Sequence, residues 1–348
     1  MTAVYPRIRH RAPFPIRRRH SDDTPRLERV LLARDIVRLV FYMPHDHPEI
    51  ASGVSHAVES YIRAVGQDPS AIHHAYTDDD EGAPLTEERW SYVRELLRPE
   101  RPYRFIEDLS EEGVYILEKR GYAVQLLLNG GFRSRNGYEF WYRARIPWRT
   151  PYPESVSLLT ATLPTEYLVR HGPTRVRELA LDMASRLRFV TGHAGLAVHF
   201  YWRLRTTDAA LRAELARYPG IDLRTAWLPP TRMGVQVDGV HWLNFLAQPV
   251  LGQFGGAAAL RSRLQAPETT VTELDEDRVV ISLGDKPEAG DLSAGQTLPA
   301  YRELARVLEP SLEPLTIKKI WPDEPPPLYS DLRFSEEEAR RWWRRFLD

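Results

Sequence analysis

The sequence predicts an α+β protein: a mixed, largely antiparallel sheet or sheets flanked by helices, built as one body or as two packed subdomains. Three observations carry that expectation. Residues 138–144 alternate, with Tyr138, Phe140, Tyr142 and Ala144 on one side and Glu139, Trp141 and Arg143 on the other, the period of a strand. Residues 48–65 instead place Ile50, Val54, Val58 and Ile62 four apart, the period of a helix face. The chain has 348 residues, enough to bury a large core, and 43% hydrophobic with 27% charged residues is ordinary for a globular protein.

Taken in order, residues 1–26 read as a basic arm in which Pro6, Pro13, Pro15 and Pro25 interrupt any helix. Its arginines, Arg7, Arg9, Arg11 and Arg17 to Arg19, suit phosphates or an acidic partner, although such arms are more often simply solvated or packed across their own domain. Residues 35–43 (DIVRLVFYM) are a strand, followed by the helix at 48–65. An acidic segment, TDDDEGAPLTEER, precedes a helix around residues 90–97 with Thr86 near its start. Residues 122–128 and 138–144 form an antiparallel hairpin across Asn129-Gly130-Gly131 and Asn136-Gly137, and residues 155–162 add a third strand. An amphipathic helix at 174–187 leads to 196–202 (LAVHFYW), the most apolar strand and the expected centre of the sheet. Thr207-Asp208 caps a helix running to about residue 218.

The most patterned stretch is residues 239–264, GVHWLNFLAQPVLGQFGGAAALRSRL. Leu243, Leu246, Val250 and Phe254 fall at helical spacing, so a short helix is expected to dock there, with Pro249 at its first turn or a kink. Gly255-Gly256 stops that element and a second helix follows. No GK[ST] or GxGxxG pattern surrounds the two glycines, which favours a tight helix–helix turn over a phosphate loop. Residues 269–274 and 278–283 flank Asp275, Glu276 and Asp277 as a hairpin, and residues 298–308 are helical. The proline-rich WPDEPPPLYS is an extended connector, and the chain closes with a helix placing Ala339, Trp342, Trp343 and Phe346 on one face, Ser335 and Glu338 fitting a capping box. The expected organisation is therefore an arm at 1–26, a main domain at 27–333 and a terminal helix at 334–348.

Composition narrows the chemistry. A formal charge of −1 supplies no strong field toward nucleic acid or membrane, and all but four of the 47 basic residues are arginine, so a local arginine cluster says little. The chain has no cysteine, which excludes disulfides, thiolate catalysis and Cys-type zinc sites. No apolar run approaches the roughly 20 residues of a membrane span, and the basic N-terminus lacks the apolar segment of a secretory signal, so a cytoplasmic protein is expected.

Catalytic constellations are hard to assemble. His45, His47 and Glu49 can supply metal ligands, as can His73 and His74 near Asp78, Asp79 and Asp80, but neither set matches HExxH or an EF-hand. His45 to Glu49 reads more simply as a strand end feeding a helix. His199, in an apolar strand, reads as a hydrogen-bonded core histidine, and Glu178 with Asp182 as an ordinary helix-surface pair. No GxSxG elbow is present. No catalytic residues, no metal and no cofactor are therefore expected.

Residues 242–264 resemble the type VI secretion immunity family, in which a Trp/Leu-rich segment runs into Gly-Gly and a helix with spaced leucines. A second block, ISLGDKPEAGDLSAGQTLPAYRELARVLEP, is similar to that family's G-x-x-P-x-x-G-D segment and L-P-x-Y helix. The matching positions are Trp242, Gly255, Gly256, Gly284, Pro287, Gly290, Asp291 and Tyr301. The resemblance covers roughly residues 113–310. It implies a cytoplasmic α+β protein without enzymatic activity, encoded beside a contact-delivered toxin (some carry nuclease domains) and protecting the producer by binding it. The implied partner is the cognate toxin domain, with no direct contact to nucleic acid or membrane. If the toxin is a nuclease, carboxylates that mimic the phosphate backbone are the expected contacts, at Asp78, Asp79, Asp80 and Glu81 or at Asp275, Glu276 and Asp277. A metal-dependent hydrolase using His45 and His47, and an adaptor for toxin loading that docks through the terminal helix, are the competing expectations.

Overall fold

A computed structural model describes residues 5–16, 26–66, 71–77, 82–99, 110–131, 135–149, 153–201, 209–223, 233–313 and 336–348. In chain order its elements begin with β1 (Arg9–Ile16), β2 (Arg26–Met43), α1 (His47–Val65), β3 (His74–Thr77), β4 (Ala83–Pro84), α2 (Glu87–Leu96) and α3 (Glu111–Arg120). β5 (Tyr122–Asn129), β6 (Glu139–Arg145), β7 (Ser157–Pro164), α4 (Thr165–Ala184), β8 (Thr191–Phe200) and α5 (Ala209–Ala216) follow. The last group is β9 (Leu243–Ala247), α6 (Val250–Gln253), α7 (Gly256–Arg263), β10 (Thr269–Glu273), β11 (Arg278–Leu283), α8 (Pro299–Leu308) and α9 (Glu336–Trp343).

One eleven-stranded sheet organises these elements, in the order β10-β11-β9-β8-β2-β7-β6-β5-β3-β4, with β1 added alongside β2. Every ladder among the described residues is antiparallel. Its centre is a split β-α-β arrangement. β7 and β8 both run antiparallel to β2 from opposite sides, so they are parallel to each other and need α4 to cross over. With α1 following β2 and β6 beside β7, strand order β8-β2-β7-β6 and the α1–α4 contact make a ferredoxin-like core, extended by hairpins at both ends.

The period-2 pattern decides which face meets the helices. Phe140, Tyr142 and Ala144 of β6 join Val37, Leu39, Phe41 and Met43 of β2 in one core with Ile50, Val54, Val58 and Tyr61 of α1 and Val176, Leu179 and Met183 of α4. Asp46 and Glu49 close a capping box at the start of α1, and Thr86 Oγ1 accepts from Arg89 N at 3.2 Å at the start of α2. A second core lies on the opposite face at the β9–β11 end, where Leu246, Val279 and Ile281 meet Val250, Leu251 and Phe254 and the α8 residues Tyr301, Leu304 and Leu308.

Several expectations change. Leu243 to Ala247 is a strand, not the helix its spacing indicated. β9 lies between β8 and β11 with helices on both faces, so all five residues are buried and polar alternation, the usual signature of a strand, is lost. β2 begins at Arg26 instead of 35 because residues 26–34 pair with β1, a cross-strand register that leaves no mark in the local hydrophobic pattern. The predicted helix at 174 starts earlier, as the second part of α4 beyond Gly172 (φ 80°) and Pro173. β3 and α3 were not foreseen; α3 buries no residue deeply.

The basic arm's Arg9–Ile16 stretch pairs with β2, and Tyr5 and Ile8 are buried. Arg9 Nη2 contacts Glu166 at 2.6 Å, and Arg9 also pairs with Asp35. Arg17 to Arg19, Thr207 with Asp208, the WPDEPPPLYS connector and Ser335 lie outside the described residues. α9 docks on its own chain: Ala339 and Phe346 are buried, Arg212 Nη1 meets Glu338 at 2.9 Å, and Arg345 Nε donates to Pro219 O at 2.7 Å.

Candidate functional site

The two glycine-containing blocks of the sequence meet in space. Trp242, 1% exposed, donates its Nε1 to Gly284 O at 3.0 Å. The same carbonyl accepts from Arg177 Nη2 of α4 at 2.8 Å, with the guanidinium 5.4 Å from the Trp242 ring centroid. Gly284 can turn its carbonyl inward because it sits at φ 88°. Asp291 accepts from Arg217 Nε at 2.6 Å and from Ser293 N at 3.0 Å and Oγ at 2.7 Å; the Arg217 bond first, then the Ser293 bonds, hold its carboxyl well below the usual range. Pro287 and Gly290 are buried beside it, and the Tyr301 hydroxyl accepts from Glu288 N at 3.4 Å. Gly255 and Gly256, at φ 83° and 81°, make the turn between α6 and α7, the helical corner expected of them. An open cleft of about 400 Å³ lies between β11 and α8, with Glu268, Asp285, Glu288 and Lys286 at its walls and Leu298 and Tyr301 beneath. Its groups suit docking of a side chain; they include no nucleophile paired with a base.

Of the two predicted acidic contacts, one lies among the described residues. Asp275, Glu276 and Asp277 form the exposed tip of the β10–β11 hairpin. Asp275 Oδ2 accepts from Arg278 Nε at 2.7 Å, which pulls its carboxyl down, and Arg278 Nη1 also donates to Ala184 O at 3.0 Å and Leu187 O at 3.1 Å, tying the tip to the end of α4. Asp275 therefore serves the turn, while Glu276 and Asp277 face solvent. Asp78, Asp79, Asp80 and Glu81 lie outside the described residues.

The histidines separate according to their elements. His47 is buried with Nδ1 2.9 Å from Tyr142 Oη, whereas His45 lies nearer the surface, 3.4 Å from Glu49; the two do not converge. His73 and His74 meet edge to face at 4.7 Å. His199 is held down at about 3 by desolvation, with Arg38 and Arg34 adding, so it is neutral in any ordinary buffer. Nearby, Arg38 donates to Asp222 Oδ2 at 3.1 Å and to Val198 O at 2.8 Å, and desolvation pushes Glu139 up to about 7 against the pull of Arg38. Glu178 pairs with Arg175 at 3.1 Å, and Asp182 turns to His56 at 3.2 Å. One convergent group was missed: His193, Asp238 and His241 offer nitrogen and oxygen atoms within 4.8 Å of one another. No motif links residues 45 or more positions apart, as His193 and Asp238 are, so only the fold reveals it. Among the described residues no helix is long and apolar enough to cross a membrane.

A family model described as type VI immunity for VRR-NUC, TsiV, matches residues 117–346, from α3 through α9. That span contains both glycine blocks and adds the terminal helix to the stretch that the sequence alone matched. Among solved structures, the Pseudomonas aeruginosa T6SS protein PA0821 is similar with a TM-score of 0.65 and 20% identity, over 91% of this chain and 85% of that chain. At that identity the likeness is one of fold. Among curated proteins none matches the chain.

Proposed function

This chain belongs to the TsiV family, type VI immunity for VRR-NUC, and on that premise we propose that it neutralises a VRR-NUC toxin by direct, tight binding in the cytoplasm, with no catalysis of its own. The observation that carries this is the family match over residues 117–346, which takes in the whole Trp242–Gly284 junction and the acidic β10–β11 tip. A nuclease must present a basic surface to the phosphate backbone, and an inhibitor that offers rigidly held carboxylates there competes with nucleic acid. Glu276 and Asp277 meet that requirement, because Arg278 fixes their turn to α4 before binding and less ordering is left to complete on association. The segment from Asp78 to Glu81 is the second candidate.

The hydrolase alternative built on His45 and His47 has no support in geometry, since the two diverge. Loading through a free terminal helix is likewise unsupported, since Phe346 packs against Tyr301 with ring centroids 5.5 Å apart. The test is co-expression with the neighbouring toxin domain: a one-to-one complex should copurify and suppress DNA cleavage in proportion to complex formed. Suppression without a complex, or turnover of toxin by catalytic amounts of this protein, would overturn the proposal.

A further inference from the structure

His193, Asp238 and His241 lie on the sheet face opposite α1 and α4, where their role in the fold is not hydrophobic. His193 comes from near the start of β8, Asp238 and His241 from the loop that enters β9. All three are buried, at 3%, 5% and 5% exposure. His193 Nδ1 is 3.8 Å from Asp238 Oδ2, and the two imidazoles stack with centroids 3.6 Å apart and planes at 10°.

The surroundings hold these groups in place. Tyr42 Oη donates to Asp238 Oδ2 at 2.5 Å. Asn244 clasps the His241 backbone from both sides, accepting from His241 N at 2.9 Å and donating to His241 O at 2.7 Å. Upstream, the loop is sewn down by Thr191 Oγ1 to Gln236 O at 3.0 Å and by Val237 N to Ser311 O at 2.8 Å. Gly195, two residues along β8 from His193, leaves the space that His241 enters: a Cβ there would stand 3.3 Å from His241 Cβ.

We propose that His193, Asp238 and His241 bind a divalent first-row transition metal ion of the zinc class. Two imidazole nitrogens and one carboxylate oxygen are a zinc-type donor set, and a carboxylate oriented by a neighbouring hydroxyl is the usual second layer of such a site. Ligand atoms about 2.1 Å from a tetrahedral ion stand roughly 3.4 Å apart, so the three atoms, now within 4.8 Å of one another with His193 and Asp238 at 3.8 Å, must draw together. The imidazoles must also rotate so that each points a nitrogen at the ion, and the ring stack parts on binding. The three side chains leave a fourth coordination position for solvent. The ion would cross-link β8 to the loop that leads into β9, pinning the family's Trp-containing stretch to the sheet centre. This inference does not depend on the identity of the toxin.

The experiment uses the full chain with any affinity tag removed. Metal content of the purified protein is measured by mass spectrometry, then the protein is stripped with chelator and titrated with Co²⁺, whose visible ligand-field absorption reports tetrahedral nitrogen–oxygen coordination. One equivalent of metal, saturable cobalt bands and a raised Tm with Zn²⁺ are expected. Asp238→Asn and His241→Gln should abolish the bands, and the His73→Ala/His74→Ala double variant should keep them. If either single variant fails to fold by circular dichroism, Tyr42→Phe serves instead, with a loss of about 10- to 100-fold in cobalt affinity. No bound metal and no cobalt spectrum in the wild type, equal spectra in wild type and Asp238→Asn, or loss of the bands in the His73/His74 variant would overturn the proposal.

Discussion

Replacing Trp242 tests whether the junction between the two family blocks is a structural hinge point. The side chain is 1% exposed, and its indole nitrogen shares the Gly284 carbonyl with Arg177. Trp242→Ala removes a fully buried aromatic and leaves a cavity, a loss of about 3–5 kcal/mol. That is a large fraction of the roughly 5–15 kcal/mol by which folded proteins are stable. Trp242→Phe keeps most of the ring and loses one hydrogen bond, about 1 kcal/mol, and Gly284 O is still satisfied by Arg177. Arg177→Met should behave in the same way, with Trp242 satisfying the carbonyl. The double variant Trp242→Phe/Arg177→Met leaves a carbonyl without either donor, so its loss should exceed the sum of the two singles by about 1 kcal/mol or more. Urea unfolding of the four variants, followed by far-ultraviolet circular dichroism, gives each value. Strict additivity, or a Trp242→Phe loss equal to that of Trp242→Ala, would refute the shared-carbonyl reasoning.

Other outcomes follow from the same geometry. Glu276→Lys/Asp277→Lys should weaken toxin binding at least tenfold, more at low salt, with Tm unchanged because both residues are exposed; isothermal titration at two ionic strengths checks it, and unchanged affinity shifts the contact to residues 78–81. Arg278→Met removes bonds to Ala184 and Leu187 carbonyls at the end of α4 and should cost about 1–3 kcal/mol by urea unfolding. Glu139, at about 7 in the fold and 4.5 when free, makes the folded chain bind more protons between those values, so stability falls as pH rises through that window. Glu139→Gln should flatten the fall and be the more stable protein at pH 8, measured by denaturation across pH. His199 acts with the opposite sign: at about 3 in the fold and 6.5 when free, it makes stability drop as pH falls through that interval, and His199→Gln should remove the drop.

Much of the scaffold is written locally. The alternation of residues 138–144 names both faces of β6, the four-residue spacing of α1 names its buried stripe, and Thr86 marks the start of α2. The glycine blocks were enough to suggest the family, since Gly255, Gly256, Gly284 and Gly290 all require left-handed backbone that few other residues adopt. Local pattern failed where burial erased or hid it. β9 is buried throughout, Asn244 included, because core residues cover both its faces, and the first half of β2 mixes Arg26, Glu28 and Arg29 with Leu31 and Leu32, so its pairing with β1 leaves no clean period. No sequence rule could have joined His193 to Asp238 and His241. Sequence alone determined the type of those elements whose period survives burial and suggested the family, because hydrophobic period and glycine backbone are properties of neighbours along the chain. Tertiary structure decided strand order, and with it which distant side chains share a site, because antiparallel pairing across an eleven-stranded sheet is set by long-range packing.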